Sequence, residues 1–192
     1  MAKGQKTLLT VIVILVVVVL IPFLYVKSTY NTLVRMDEQV KAAWAQVENQ
    51  LQRRYDLIPN YVETVKGYAK HEKEVFIKVT QARSKVAGAT SIPEKIKANN
   101  ELSAALSRLL VVVERYPELK ANQNFIRLQD ELAGTENRIA VERRRFNEAV
   151  RAYNTKIRSF PTNIIASMFG FKPATFFQVP KEKQETPKVK FD

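Results

Sequence analysis

The polar and apolar positions along the chain fall into distinct regimes. Leu8 to Val26 (LLTVIVILVVVVLIPFLYV) is apolar except for Thr10 and Pro22, and no charge occurs between Lys6 and Lys27. At about 1.5 Å rise per residue this run matches the ~30 Å hydrocarbon core of a bilayer. A core helix of a soluble domain would carry a polar stripe, and this one has none. The pattern predicts an N-terminal transmembrane helix. A cleaved signal peptide has a shorter apolar region ending at a small-residue site. Here the run leads into Tyr25-Val26-Lys27-Ser28-Thr29-Tyr30, which favours a retained anchor. Tyr25 and Lys27 suit the interface, one as a ring at headgroup level, the other as a snorkelling amine.

Beyond the anchor the period changes to that of amphipathic helices. Leu33, Met36, Val40, Trp44, Val47, Leu51, Tyr55 and Ile58 recur three or four apart, with Arg35, Asp37, Glu38, Lys41 and Arg53 between them. This spacing places one apolar face against a core. Pro59-Asn60 predicts a break or sharp kink there, with Asn60 and Glu63 as a new helix start. The stripe resumes as Val62, Val65, Ala69, Phe76, Val79 and Val86, and Gly88 can end it. Ser91-Ile92-Pro93-Glu94 reads as a capping box opening a third segment through Ile96, Leu102, Leu106, Leu109 and Val113. Tyr116-Pro117-Glu118 marks the next turn. A fourth stripe runs from Phe125 to Ile157, interrupted by Thr135 and Glu142, and Pro161 stops it.

Four amphipathic segments with short connections predict an all-α fold. It consists of an N-terminal transmembrane helix, an up-and-down four-helix bundle with long helices, and an aromatic-rich C-terminal tail. The expected division is 1–27 for the anchor, 28–160 for the bundle and 161–192 for an extended tail. The tail holds Phe169, Phe171, Phe176 and Phe177, then turns to Lys, Glu and Pro from Lys181 onward. Its aromatic part reads first as a strap packed on the bundle. The alternative is a contact for membrane or another subunit.

Composition narrows the chemistry. There is no Cys, one His and five Gly. This excludes disulfides, thiolate nucleophiles and Cys-ligated metals, and leaves no phosphate-cradling Gly motif. His71 in Lys70-His71-Glu72-Lys73-Glu74 lacks the second His of H-E-x-x-H, since position 75 is Val75. It reads as a solvated helix residue. Glu72 and Glu142 stand on or beside apolar stripes, but the Glu-x-x-His pairs of di-metal bundles are missing. Glu142 with Arg145 reads as a local ion pair. No metal, cofactor, catalytic residue or small-molecule substrate is therefore expected.

The net charge is +12. Two of the basic residues, Lys3 and Lys6, precede the span, so a net of +10 is spread over the remainder. Arg53-Arg54 and Arg143-Arg144-Arg145 are the densest clusters. The plain reading is a solvated face. The functional reading is attraction to anionic lipid headgroups, about 1 kcal/mol per basic residue near the surface. No nucleic-acid motif is present, and the anchor makes lipid the nearer polyanion.

Several motifs, in order, resemble a known family. They are Tyr30-Asn31-Thr32-Leu33-Val34, Val40-Lys41-Ala42-Ala43-Trp44, Leu51-Gln52-Arg53-Arg54-Tyr55-Asp56-Leu57-Ile58-Pro59-Asn60, Tyr116-Pro117-Glu118-Leu119-Lys120-Ala121 and Ala152-Tyr153-Asn154. Together they resemble the bacterial LemA family from the anchor to the C-terminus. The resemblance implies one membrane helix, a soluble bundle of four helices and a short N-terminus outside the cell. It implies no enzymatic activity, cofactor or catalytic residues.

The expected function is a non-enzymatic, single-pass scaffold of the bacterial inner membrane. It would self-associate as a homo-oligomer and organise or shape the bilayer, with anionic lipid as a partner. The alternative is an adaptor that recruits or regulates another envelope protein, such as a protease or transporter. Lys and Arg counts on the two sides of the span are near parity, so they do not fix its orientation. The expected lipid-facing residues are Tyr25, Lys27, Arg53, Arg54, Arg143, Arg144, Arg145, Phe169, Phe171, Phe176 and Phe177.

Overall fold

The computed structural model describes residues 3–178. The expectation for Lys181 onward lies outside these residues. Among the described residues six helices follow in order: α1 (Lys3–Tyr68), α2 (Lys73–Gly88), α3 (Ile92–Val113), α4 (Pro117–Lys120), α5 (Gln123–Arg158) and α6 (Thr162–Met168). No strand occurs among the described residues, and the fold is all-α. The long segments α1, α2, α3 and α5 are joined by short connections, the up-and-down arrangement that the four stripes predict.

Pro59 does not break the helix. It lies inside α1, which continues to Tyr68. A proline in a helix interior removes one hydrogen bond and crowds the carbonyl four residues back, at a cost of about 3 kcal/mol. Ile58, Tyr61, Val62 and Val65 around it are all buried. Each such side chain contributes about 1.5–3 kcal/mol, so one packed face carried across the proline outweighs it. The chain turns instead at residues 69–72. There the apolar stripe has a gap between Ala69 and Val75, filled by Lys70, His71, Glu72, Lys73 and Glu74. His71 is thus an exposed turn residue and not a helical one.

The start of α3 follows its sequence signature. Ser91 Oγ accepts from the Glu94 amide at 3.3 Å, and Glu94 accepts from the Ser91 amide at 3.1 Å. Those backbone donors, first Ser91 and then Thr90, hold the Glu94 carboxyl below its ordinary range. Asn122 caps α5 by accepting from the amides of Asn124 at 2.9 Å and Phe125 at 3.1 Å. The end of α6 is a Schellman motif. The Phe171 amide donates to Ala166 O at 2.9 Å and the Gly170 amide to Ser167 O at 3.2 Å. Gly170 takes the positive φ of 75° that this cap requires.

The described chain forms two compact units. One comprises residues 3–42 and 148–174, and its buried positions include Leu33, Val40, Val150, Tyr153, Ile157 and Ile165. The other comprises residues 43–147 and 175–178. It contains the larger core, built on Ile58, Tyr61, Val65, Val79, Leu102 and Leu109. In that core Tyr61 and Phe125 pack with ring centroids 5.2 Å apart.

Candidate membrane interface

The apolar run of α1 is exposed in the described chain, from Val11 through Tyr25. None of its most apolar stretch is covered by protein, and its length and composition suit a membrane crossing. Tyr25 and Lys27 are exposed at its end.

Within the same unit, the aromatic residues after α6 come back to α1. Tyr30 packs against Phe169, centroids 4.8 Å apart, and meets Phe171 edge-on at 5.8 Å. The cap at Gly170 turns the chain so that both rings reach Tyr30. Asn154 fixes the segment that follows, accepting from the Ala174 amide at 2.8 Å and donating to its carbonyl at 2.9 Å.

In the other unit, Phe177 is 5% exposed and packs at 6.3 Å from the ring of Trp44. Trp44 also meets Phe146 edge-on at 5.4 Å. Asn147 donates to Phe177 O at 3.0 Å and accepts from its amide at 2.8 Å. Arg143 lies over the Phe177 ring, 5.8 Å from its centroid. Phe177 is therefore a packing residue and not a lipid contact, while Phe176 is half-buried. Residues 162–168 form α6, where the sequence pattern predicts no helix. Seven residues are too few to show a period.

The basic clusters separate. Arg53 and Arg144 are exposed. Arg145 is exposed and pairs with Glu142 at 2.8 Å, the local ion pair that the spacing predicts. Arg54 requires a correction: it is 3% exposed and cannot serve as a surface cation. Its guanidinium donates to Ser103 Oγ at 2.8 Å, to Glu136 Oε2 at 2.9 Å and to Asn99 Oδ1 at 2.8 Å. Burial lowers its pKa, and the charge of Glu136 opposes that shift. Glu72 pairs with Arg115 at 3.2 Å. Sequence reasoning missed the two asparagines that hold the strap. Their seven-residue spacing on α5, at helix-interior positions where Asn is disfavoured, is the signal that could have found them.

Exposed apolar helix, helical bundle and returning aromatic strap together define an all-α protein whose N-terminal helix is fit to cross a membrane. Residues 43–191 match the LemA family, and the chain belongs to that family. It is 29% identical to "Magnetosome protein MamQ 2" of Paramagnetospirillum magneticum, over 97% of this chain and 77% of that protein. It is 27% identical to "Magnetosome protein MamQ" of Magnetospirillum gryphiswaldense over the same shares. "Protein LemA" of Metamycoplasma hominis is 26% identical over 81% of this chain and 71% of that protein.

Proposed function

We propose that this chain is a non-catalytic scaffold of the bacterial inner membrane, anchored by α1, whose copies associate side by side and organise or shape the bilayer. The observation that carries this reading is the uncovered apolar surface of α1 from Val11 to Tyr25, followed directly by a packed helical body. One anchor per body means that lateral packing of the bodies sets the spacing of the spans. The exposed cation Lys27, next to the end of the apolar run, suits anionic headgroups. Kinship with the magnetosome-named relatives supports a membrane role. The test is reconstitution of the full chain in liposomes, with crosslinking and electron microscopy of vesicle shape. Crosslinked oligomers with altered vesicles are expected. Protein that stays monomeric on unchanged vesicles overturns the reading.

One observation favours the adaptor as a second reading. An open groove of about 840 Å³ runs beside α2, with Phe76 and Ile77 among its apolar walls and Lys66, Lys70, Lys73 and Lys85 around it. That combination suits an acidic, amphipathic segment of a partner protein. Crosslinking in cells separates the readings: self-crosslinks favour the scaffold, one dominant heterologous product the adaptor.

A further inference from the structure

Four large apolar side chains crowd into ten residues around α6 and remain in water. Phe160 is 81% exposed, Ile164 58%, Met168 64% and Phe169 48%. The opposite side of the same short helix is pinned, with Thr162, Ile165 and Ala166 buried. The helix is therefore held with Ile164 and Met168 outward, beside the exposed polar residues Asn163 and Ser167. Isolated exposed apolar residues are ordinary, but a contiguous patch marks something that covers it.

Its position names the cover. Phe169 packs on Tyr30 at 4.8 Å. Tyr30 stands four residues beyond Val26, the last residue of the apolar run, or about 6 Å along the helix axis. A headgroup layer is about 5–8 Å thick on each side of the hydrocarbon core. The Tyr30–Phe169 contact thus falls at headgroup depth if α1 crosses the bilayer. The charge agrees. From residue 149 to 178 the chain contains Arg151, Lys156, Arg158 and Lys172 and no acidic residue. None of the four enters an ion pair among the described residues. Apolar side chains flanked by unpaired cations are the composition of an interfacial helix, whose apolar face lies in the boundary between headgroups and acyl chains.

We propose that α6, with Phe160 and Phe169, is a second lipid contact that lies in the interfacial layer of the bilayer crossed by α1. This rests on the reading of α1 as a membrane span. The contact would fix the tilt and rotation of the anchored unit, because two attachments beside each other remove freedom that a single span leaves.

The chain has no cysteine, so single-cysteine variants take a nitroxide label without background. Val17→Cys, Ile164→Cys, Met168→Cys and Glu148→Cys are placed in the full chain, reconstituted in mixed phosphatidylcholine and phosphatidylglycerol vesicles. Collision with oxygen reports lipid, and collision with a water-soluble nickel chelate reports water. Labels at 17, 164 and 168 are expected to favour oxygen and to lose most nickel collision relative to the label at 148. Oxygen-favoured label at 17 with nickel-favoured labels at 164 and 168 overturns the proposal and leaves the span intact. Labels at 164 and 168 shielded from both reagents mean that protein, such as a second copy, covers the patch, and this also overturns it. A nickel-favoured label at 17 removes the span itself, and the proposal with it.

Discussion

Asn147 and Phe177 exchange two hydrogen bonds, the side-chain amide donating at 3.0 Å and its oxygen accepting at 2.8 Å. The helix thereby supplies to the strap what a neighbouring strand would supply, one donor and one acceptor at the backbone. The pair seats the Phe177 ring at 6.3 Å from Trp44, the single tryptophan of the chain. Each bond contributes about 1 kcal/mol net, so Asn147→Ala is expected to loosen the strap by about 2 kcal/mol without unfolding the helices. Faster amide exchange at Phe177 and a red-shifted Trp44 emission are the readouts. Asn147→Asp keeps the acceptor, loses the donor and should show an intermediate effect. Unchanged exchange in Asn147→Ala would assign the docking to the aromatic contact alone.

Arg54 and Glu136 form an asymmetric pair, because the arginine side chain is 3% exposed and the glutamate 56%. Removing the glutamate strands a buried charge, whereas removing the arginine returns a carboxylate to water. Glu136→Ala is therefore expected to cost about 3 kcal/mol. Arg54→Met should cost less, about 1–2 kcal/mol, mainly from Asn99 Oδ1 losing its donor. Denaturant unfolding of the two variants measures the order, and a larger loss for Arg54→Met sinks this account.

Pro59 stands in the interior of α1 with buried neighbours on both sides. Its helix is already formed, so alanine there restores a hydrogen bond and relieves the crowded carbonyl. Proline also restricts the unfolded chain, which offsets part of the gain by about 0.4–1 kcal/mol. Pro59→Ala is expected to stabilise the chain by about 2 kcal/mol. A raised denaturation midpoint with unchanged helical circular dichroism checks it. A destabilised variant would mean that a proline-induced distortion is needed for packing.

Local signatures were legible in the chain, and long-range partnerships were not. The Ser91–Glu94 capping box and the Glu142–Arg145 pair each lie within four residues, and both form as their spacing implies. Arg54 stands three residues after Leu51 and four before Ile58, on the buried face, so the spacing itself pointed inward. What was hidden is the set of groups that makes its burial tolerable: Asn99, Ser103 and Glu136 lie 45 to 82 residues away. At Pro59 a local rule was overridden by burial that only the assembled core supplies. The exposed side of α6 was invisible for a simpler reason, since seven residues hold less than two turns of apolar periodicity.

Tyr61 is buried to 1% exposure, yet its hydroxyl has no hydrogen-bond partner among the described residues. Burial pushes its pKa up to about 12, against an ordinary value of about 10. The folded state thus holds the phenol proton more tightly than the unfolded state. The contribution to stability is complete below pH of about 10 and is lost as the pH rises through about 12. Tyr61→Phe keeps the ring against Phe125 and removes both the unpaired hydroxyl and the titration. The variant should be more stable by about 1 kcal/mol near neutral pH, and its advantage should widen above pH of about 10. Urea unfolding of both proteins across that range gives the comparison. Parallel curves would show that Tyr61 titrates alike in the folded and unfolded states, and a destabilised variant at neutral pH would show that the hydroxyl has a partner after all.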